Sequence, residues 1–244
     1  MIFGTGDVAA LEGRAPRMEA LDAPALTLPG VEVTLASCEI ARAGVQELFP
    51  PALQPTLPTL VSWQVWRCHE GPLGSFAAAQ VRLSCRAGAR PRVFSVGCAI
   101  DSPEAGAALA RGWGYAPGPA EFEFAETDGR REVRVSVAGR TTLALSLPDL
   151  HALGPDDVRF VSVMNPAQTP RGLRLIQVDP DHQVERSERG DFHVDAFDAE
   201  AWGEPRIRPV HPLVATWTLA DLTLPALRFV ARPEVNAFQG TEKL

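Results

Sequence analysis

Lysine is almost missing from this chain of 244 residues: one occurs, Lys243, next to last. The other 22 basic residues are arginines. Because only a primary amine condenses with a ketone to give an imine, the interior has no route to Schiff-base chemistry. Cysteine is also scarce. Cys38, Cys68, Cys85 and Cys98 are widely spaced and form no Cys-x-x-Cys pair, which removes the usual zinc patterns, and no metal site is expected. No apolar run approaches the roughly 18 residues a membrane-spanning helix needs. Residues Met1–Arg17 carry acids early and lack the apolar stretch behind a basic start that marks a secretory leader. These absences place the chain in the cytoplasm, with its thiols reduced. Basic runs are absent as well, and the net charge is −7 with a pI near 5.3. Such a chain has no electrostatic footprint for nucleic acid or an anionic membrane, so neither is an expected partner. Gly-x-Gly-x-x-Gly, Walker, Gly-x-Ser-x-Gly and His-Glu-x-x-His motifs are missing. Nucleotide-dependent and serine-hydrolase chemistry therefore lack support, and no cofactor is expected.

What is present is an ordinary globular composition, 45% hydrophobic and 22% charged. Abundant Ala, Arg, Gly and Pro beside so little Lys read as a GC-rich coding bias. A chain of this length can bury one sizeable β-rich core without disulfide or metal staples. Residues 1–30, with Pro16, Pro24, Pro29 and Gly30, read as an irregular lead-in. A strand is predicted over Val31–Leu35 and a short helix over Glu39–Leu48, stopped by Pro50-Pro51. A loop follows over Pro50–Pro58. Leu60–His69 is rich in β-branched and aromatic residues. Ala78–Arg86 alternates Val81, Leu83 and Cys85 against Gln80, Arg82 and Ser84. Arg92–Ile100 is a further strand. Asp101-Ser102-Pro103-Glu104 then carries helix-start chemistry, with Gly112 and Gly114 after Arg111 as the stop. Phe122–Leu147 reads as a three-stranded meander turning at Thr127-Asp128-Gly129 and at Gly139. More strands are predicted at Val158–Met164, Leu173–Val178, Phe192–Phe197 and Thr216–Leu224. The sum is a mainly β protein: one domain over 31–232, closed or nearly closed into a barrel with a central cavity and two short helices, and a flexible tail over 233–244.

The order of these features resembles the acetoacetate decarboxylase family from about Val31 to Val230. The matching pieces are Leu48-Phe49-Pro50-Pro51-Ala52-Leu53, the Leu60–His69 strand, and Gly71-Pro72-Leu73-Gly74-Ser75-Phe76. The helix closing in Ala110-Arg111-Gly112-Trp113-Gly114-Tyr115-Ala116-Pro117 matches too, as does Leu219-Ala220-Asp221-Leu222-Thr223-Leu224-Pro225. The resemblance implies a cone-shaped β-barrel around a cavity, a small-molecule ligand and a homo-oligomer. It also implies a nucleophilic lysine just after Pro117, with an amine pKa lowered by a neighbouring cation and by desolvation. Here Gly118 and Pro119 follow Pro117. Gln64 stands where the resemblance implies a glutamate, Phe76-Ala77-Ala78 covers a second, and an arginine implied near Val31 is absent. The sequence thus predicts a neutral, apolar cavity that binds a small apolar or keto-acid-like molecule without lysine-dependent decarboxylation.

Candidate ligand contacts are Gln64, Trp66, Arg111, Trp113 and Gly118. Trp66 shares Gln64's strand face, and Trp113 precedes the position of the missing lysine. Arg111 matches the family's arginine in its turn, although a cation there also suits a helix C-terminus. Trp63 and Tyr115 are further aromatics that either line a pocket or fill the core. The rival reading is an enzyme acting on a related carbonyl compound through Arg67, His69 and Glu70, the densest ionisable cluster. Strand alternation counts against it, because Arg67 points away if Gln64 points in. Asp191, His193 and Asp195 share one strand face, but same-face neighbours nearly 7 Å apart cannot grip one ion together. A third reading is a structural subunit without a ligand.

Overall fold

The computed structural model describes residues 2–127 and 129–244. The chain is mainly β, arranged as two open sheets, and no sheet closes into a barrel among the described residues. The larger sheet runs His151–Leu153, Asp181–Gly190, Pro209–Leu224, Leu26–Ile40, Leu60–Cys68, Phe76–Ala87, Arg90–Ile100, Val163–Thr169, Gly172–Val178, Phe229–Ala231, Thr241–Lys243. Two short strands flank it, Leu53–Pro55 beside Phe76–Ala87 and Pro117–Pro119 beside Arg90–Ile100. The smaller sheet is the expected meander, Glu121–Thr127, Arg130–Val137 and Arg140–Leu147, extended by His193–Phe197. Asp128, in its first turn, lies outside the described residues.

Both faces of the larger sheet are covered. On one, Ala36, Val61, Trp63, Val65, Val81 and Leu83 pack against Val133, Val135, Leu143 and Leu145 of the smaller sheet. On the other, Val31, Val33, Trp66, Ile100 and Leu222 meet Leu109 and Trp113 of the helix and Tyr115 after it. Double burial explains why the central strands are almost continuously apolar or neutral instead of cleanly alternating. We call the second face the inner face.

The helix spans Pro103–Trp113, starts on the Ser102 hydroxyl, which accepts from the Ala105 N–H, and ends at Gly114 with φ +70°. It therefore runs through Gly112, one of the two glycines predicted to stop it. A Cβ on Gly114 would sit 3.0 Å from Ile176, so both backbone geometry and space call for glycine there.

Several expectations change. The first strand is Leu26–Ile40, not Val31–Leu35, and pairs along its length with Pro209–Leu224, passing Gly30 at an irregularity between Leu28 and Val31. The end of the supposed lead-in is thus sheet, and Val8–Glu12 is a short helix. The predicted helix over Glu39–Leu48 is absent: Glu39 and Ile40 complete the strand, and only a 3-10 turn, Val45–Leu48, remains after Gly44. Cross-strand pairing to Pro209 and His211 outweighs a weak local propensity. Among the described residues the α-helical segments are three instead of two, Val8–Glu12, Pro103–Trp113 and Ala237–Gly240. The strand predicted over Val158–Met164 sits later, at Val163–Thr169, and Asp181–Gly190 is a strand where none was predicted. Residues 233–244 are no loose tail, since Ala237–Gly240 turns the chain and Thr241–Lys243 pairs with Phe229–Ala231. Lys243 sits exposed on that end strand. No helix of the described residues is long and apolar enough to cross a membrane.

Candidate functional site

Register builds the site. Across adjacent strands, Ser62 faces Arg82, Gln64 faces Gln80 and Trp66 faces Ala78. Leu35 faces Gln64 on one side and Thr216 on the other, and Val33 likewise links Trp66 to Thr218. Directly paired residues project to the same side of a sheet. Ser62, Gln64, Trp66, Gln80, Arg82, Thr216 and Thr218 therefore share the inner face. His182 joins them opposite Leu222.

Arg82 is the centre of this arrangement. It is 5% exposed, its Nη1 donates to Gln64 Oε1, its Nε has no partner within the protein, and no carboxylate pairs with it among the described residues. Burial presses its pKa down to about 10, with nearby Tyr115 acting in the opposite direction, so it remains a cation at neutral pH. The expectation of a neutral inner face fails at this residue. Gln80 Nε2 donates to Ser95 Oγ at 3.2 Å and Asn165 Oδ1 at 3.5 Å, and Asn165 Nδ2 donates to the Trp113 carbonyl at 3.0 Å. This network ties three strands to the helix end.

Two more titratable groups stand near the guanidinium. Tyr115, the one tyrosine of the chain, packs edge-on to Trp66 at 5.5 Å and leaves its hydroxyl unpartnered. Burial raises its pKa, so it stays a phenol. The His182 ring stacks parallel on Phe160 at 3.7 Å, and its Nε2 is unpartnered. Burial first, then the Arg82 charge, bring its pKa down to about 4, so the ring is neutral at pH 7. The Trp66 indole nitrogen, Gln80 Oε1 and the hydroxyls of Thr216 and Thr218 are likewise buried without partners among the described residues. Each such group costs about 1–3 kcal/mol if left unsatisfied. Several of them gather on this one face, and Arg82 and Thr216 line a cavity there. A cavity of about 750 Å³ opens onto the face, lined by Ser62, Arg82, Ser84, Arg189 and Thr216 and by residues of the segment 152–161.

The predicted contacts divide. Gln64 and Trp66 belong to the inner face and are buried. Trp113 is buried behind it, its indole N–H committed to the Pro225 carbonyl at 2.7 Å, so it walls and braces. Arg111 is exposed in the last helical turn. Gly118 is exposed and lines a separate cavity of about 260 Å³ with Cys98, Trp202 and Arg14. The structure therefore does not bring Arg111 and Gly118 together with Gln64.

Arg67 and His69 lie on the opposite face from Gln64. His69 Nε2 is 2.6 Å from Glu32 Oε1, Arg67 is 3.6 Å from the same oxygen, and the Trp217 indole donates to Glu32 Oε2 at 3.1 Å. Desolvation pushes the Glu32 pKa up, but His69, Trp217 and Arg67 together hold it below the usual value. Arg67 also lies over the Phe124 ring of the smaller sheet at 4.8 Å. Glu70 is exposed in the following turn. This cluster joins two sheets and lines a space of only about 50 Å³. No three His, Cys, Asp or Glu side chains among the described residues come together to hold a metal. Sequence reasoning missed Arg82, Gln80, Asn165 and His182 as site residues. Alternation had already set Gln80 and Arg82 on one face, and only the cross-strand register to Gln64 was lacking.

No family model matches the sequence, and no curated protein matches it. Solved structures do. An acetoacetate decarboxylase from Legionella pneumophila superposes with a TM-score of 0.69 at 14% identity, covering 89% of this chain and 94% of that one. A second acetoacetate decarboxylase gives 0.72 at 15% identity, over 84% and 88%. The chain has the acetoacetate decarboxylase fold. The enduracididine biosynthesis enzyme MppR, in complex with pyruvate, shares that fold at a TM-score of 0.67 and 16% identity, covering 86% of this chain and 91% of that one. At such identities the likeness speaks for the fold and leaves the chemistry to the residues.

Proposed function

We propose that this protein binds a small carboxylic acid of the keto-acid class on its inner face, with Arg82 as the anion anchor, and does not carry out lysine-dependent decarboxylation. The observation that carries this reading is the buried guanidinium, which among the described residues has one side-chain acceptor, Gln64, and no carboxylate partner. Removing a charge from water costs several kcal/mol, and a carboxylate held in two parallel hydrogen bonds offsets that cost. The sequence left an apolar ligand and a keto acid equally open, and the cation favours the acid. The pyruvate complex of MppR supports it as an example of this fold with a 2-oxo acid bound. Lys243 on the exposed end strand is poorly placed to form an imine with a ligand at Arg82.

The rival enzyme built on Arg67, His69 and Glu70 loses ground, since Arg67 and His69 already satisfy Glu32 on the far face. The proposal keeps a homo-oligomer, as the family resemblance implies, and a reducing cytoplasmic setting for the four free cysteines. Thermal-shift titration with pyruvate, acetoacetate and 2-oxobutyrate tests it. We expect saturable stabilisation without carbon dioxide release, no borohydride-trapped adduct, and loss of the stabilisation in Arg82→Met. Rapid decarboxylation of acetoacetate would overturn the proposal, as would an unchanged response in Arg82→Met. Silence with every acid would favour a purely structural subunit.

A further inference from the structure

We infer that the ligand has two anionic ends, and that the cavity takes a dicarboxylic keto acid with one carboxylate at Arg82 and the other at Arg189. This rests on Arg82 being the anchor proposed above. Three features of the cavity carry it.

The first is size. About 750 Å³ leaves room for a ligand to continue well beyond the group held at Arg82. The second is charge. Arg82, Arg159 and Arg189 line the cavity against a single lining carboxylate, Asp157. This local excess of positive charge occurs in a chain whose net charge is −7. Arg159 uses its Nη1 on the carbonyl oxygens of Asp156 and Val158. Arg189 has no side-chain hydrogen bond or ion pair among the described residues, which leaves it the freest of the three cations.

The third is spacing. Arg189 pairs with Thr216, Thr216 with Leu35, and Leu35 with Gln64, while Arg82 stands one strand further on, opposite Ser62. Four strand spacings put the two backbones about 19 Å apart on a flat sheet. A diacid of four to seven carbons, with an ion pair at each end, covers most of that interval, so the two side chains have to close only about a third of it or less. The strands between the two cations set Leu35, Leu60 and Val214 beside Ser37, Ser62 and Thr216 along the cavity wall, which offers apolar surface to a methylene chain and hydroxyls to a keto oxygen.

Isothermal titration of the full chain at fixed ionic strength tests the inference with matched acids. The pair is 2-oxopentanoate and 2-oxoglutarate, alike in length and differing in the second carboxylate. We expect 2-oxoglutarate to bind at least tenfold tighter. Arg189→Gln, an exposed change that leaves the core untouched, lowers 2-oxoglutarate affinity to that of the monoacid and leaves the monoacid unmoved. Arg82→Met abolishes both. Equal affinity for the two acids, or a diacid preference that survives Arg189→Gln, overturns the second anchor. If monoacids bind in an Arg82-dependent way without a diacid preference, only this inference falls. If neither acid binds the wild-type chain, the Arg82 reading falls with it.

Discussion

His182 shows how one side chain reports on the inner face. Its neutral ring is held between Phe160 and the field of Arg82, with a folded pKa near 4 against 6.5 for a free histidine. Between those values the unfolded chain takes up a proton that the folded chain refuses, so stability falls as pH drops from 6.5 to about 4. Above pH 6.5 the contribution is complete, and a shift of this size corresponds to roughly 3 kcal/mol. In urea unfolding at pH 7 and pH 4.5, the stability difference between the wild-type protein and His182→Asn should change by a kcal/mol or more toward the variant at the lower pH. A constant difference would mean that the ring is solvated. Sequence gave little warning of this residue. It sits in Asp181–Gly190, where charged residues hide the alternation that marks a strand.

At the scale of elements, contact between the sheets depends on a glycine. A Cβ at Gly97 would lie 2.5 Å from the Trp202 carbonyl oxygen and 3.2 Å from its ring, and the Trp202 indole donates to the Thr142 carbonyl of the smaller sheet at 3.1 Å. Trp202 is thereby wedged between the two sheets. Gly97→Ala should cost roughly 1–3 kcal/mol by overpacking, read as a lower denaturant midpoint with an unchanged slope. The meander and the Pro103–Trp113 helix were legible in the sequence because their signals are local: alternation, turn residues, a capping serine and a terminal glycine. The supposed Glu39–Leu48 helix was not, because its first two residues are claimed by a partner strand about 170 positions away along the chain. The site divided in the same way. Gln64 and Trp66 followed from alternation within one strand, whereas Arg82 needed the register between strands, which no local pattern encodes.

For the molecule as a whole, the pairing path of the larger sheet begins at His151–Leu153 and ends at Thr241–Lys243, so the C-terminal residues are structural. Arg171, Arg174 and Arg232 all lie within 4.0 Å of Glu242 carboxylate oxygens, which fastens the last strand. Deleting residues 237–244 should lower the melting temperature by several degrees, measured by circular dichroism, whereas a free tail would be removed without effect.

The near-absence of lysine has a practical side. Amine-directed reagents meet a single side-chain target, at Lys243, on an exposed strand at one end of the larger sheet. A dye, a surface or a carrier coupled to that side chain sits at the end of the larger sheet and leaves the arginine-lined cavity unlabelled. The α-amino group is the remaining amine, so two attachment points at most need to be told apart.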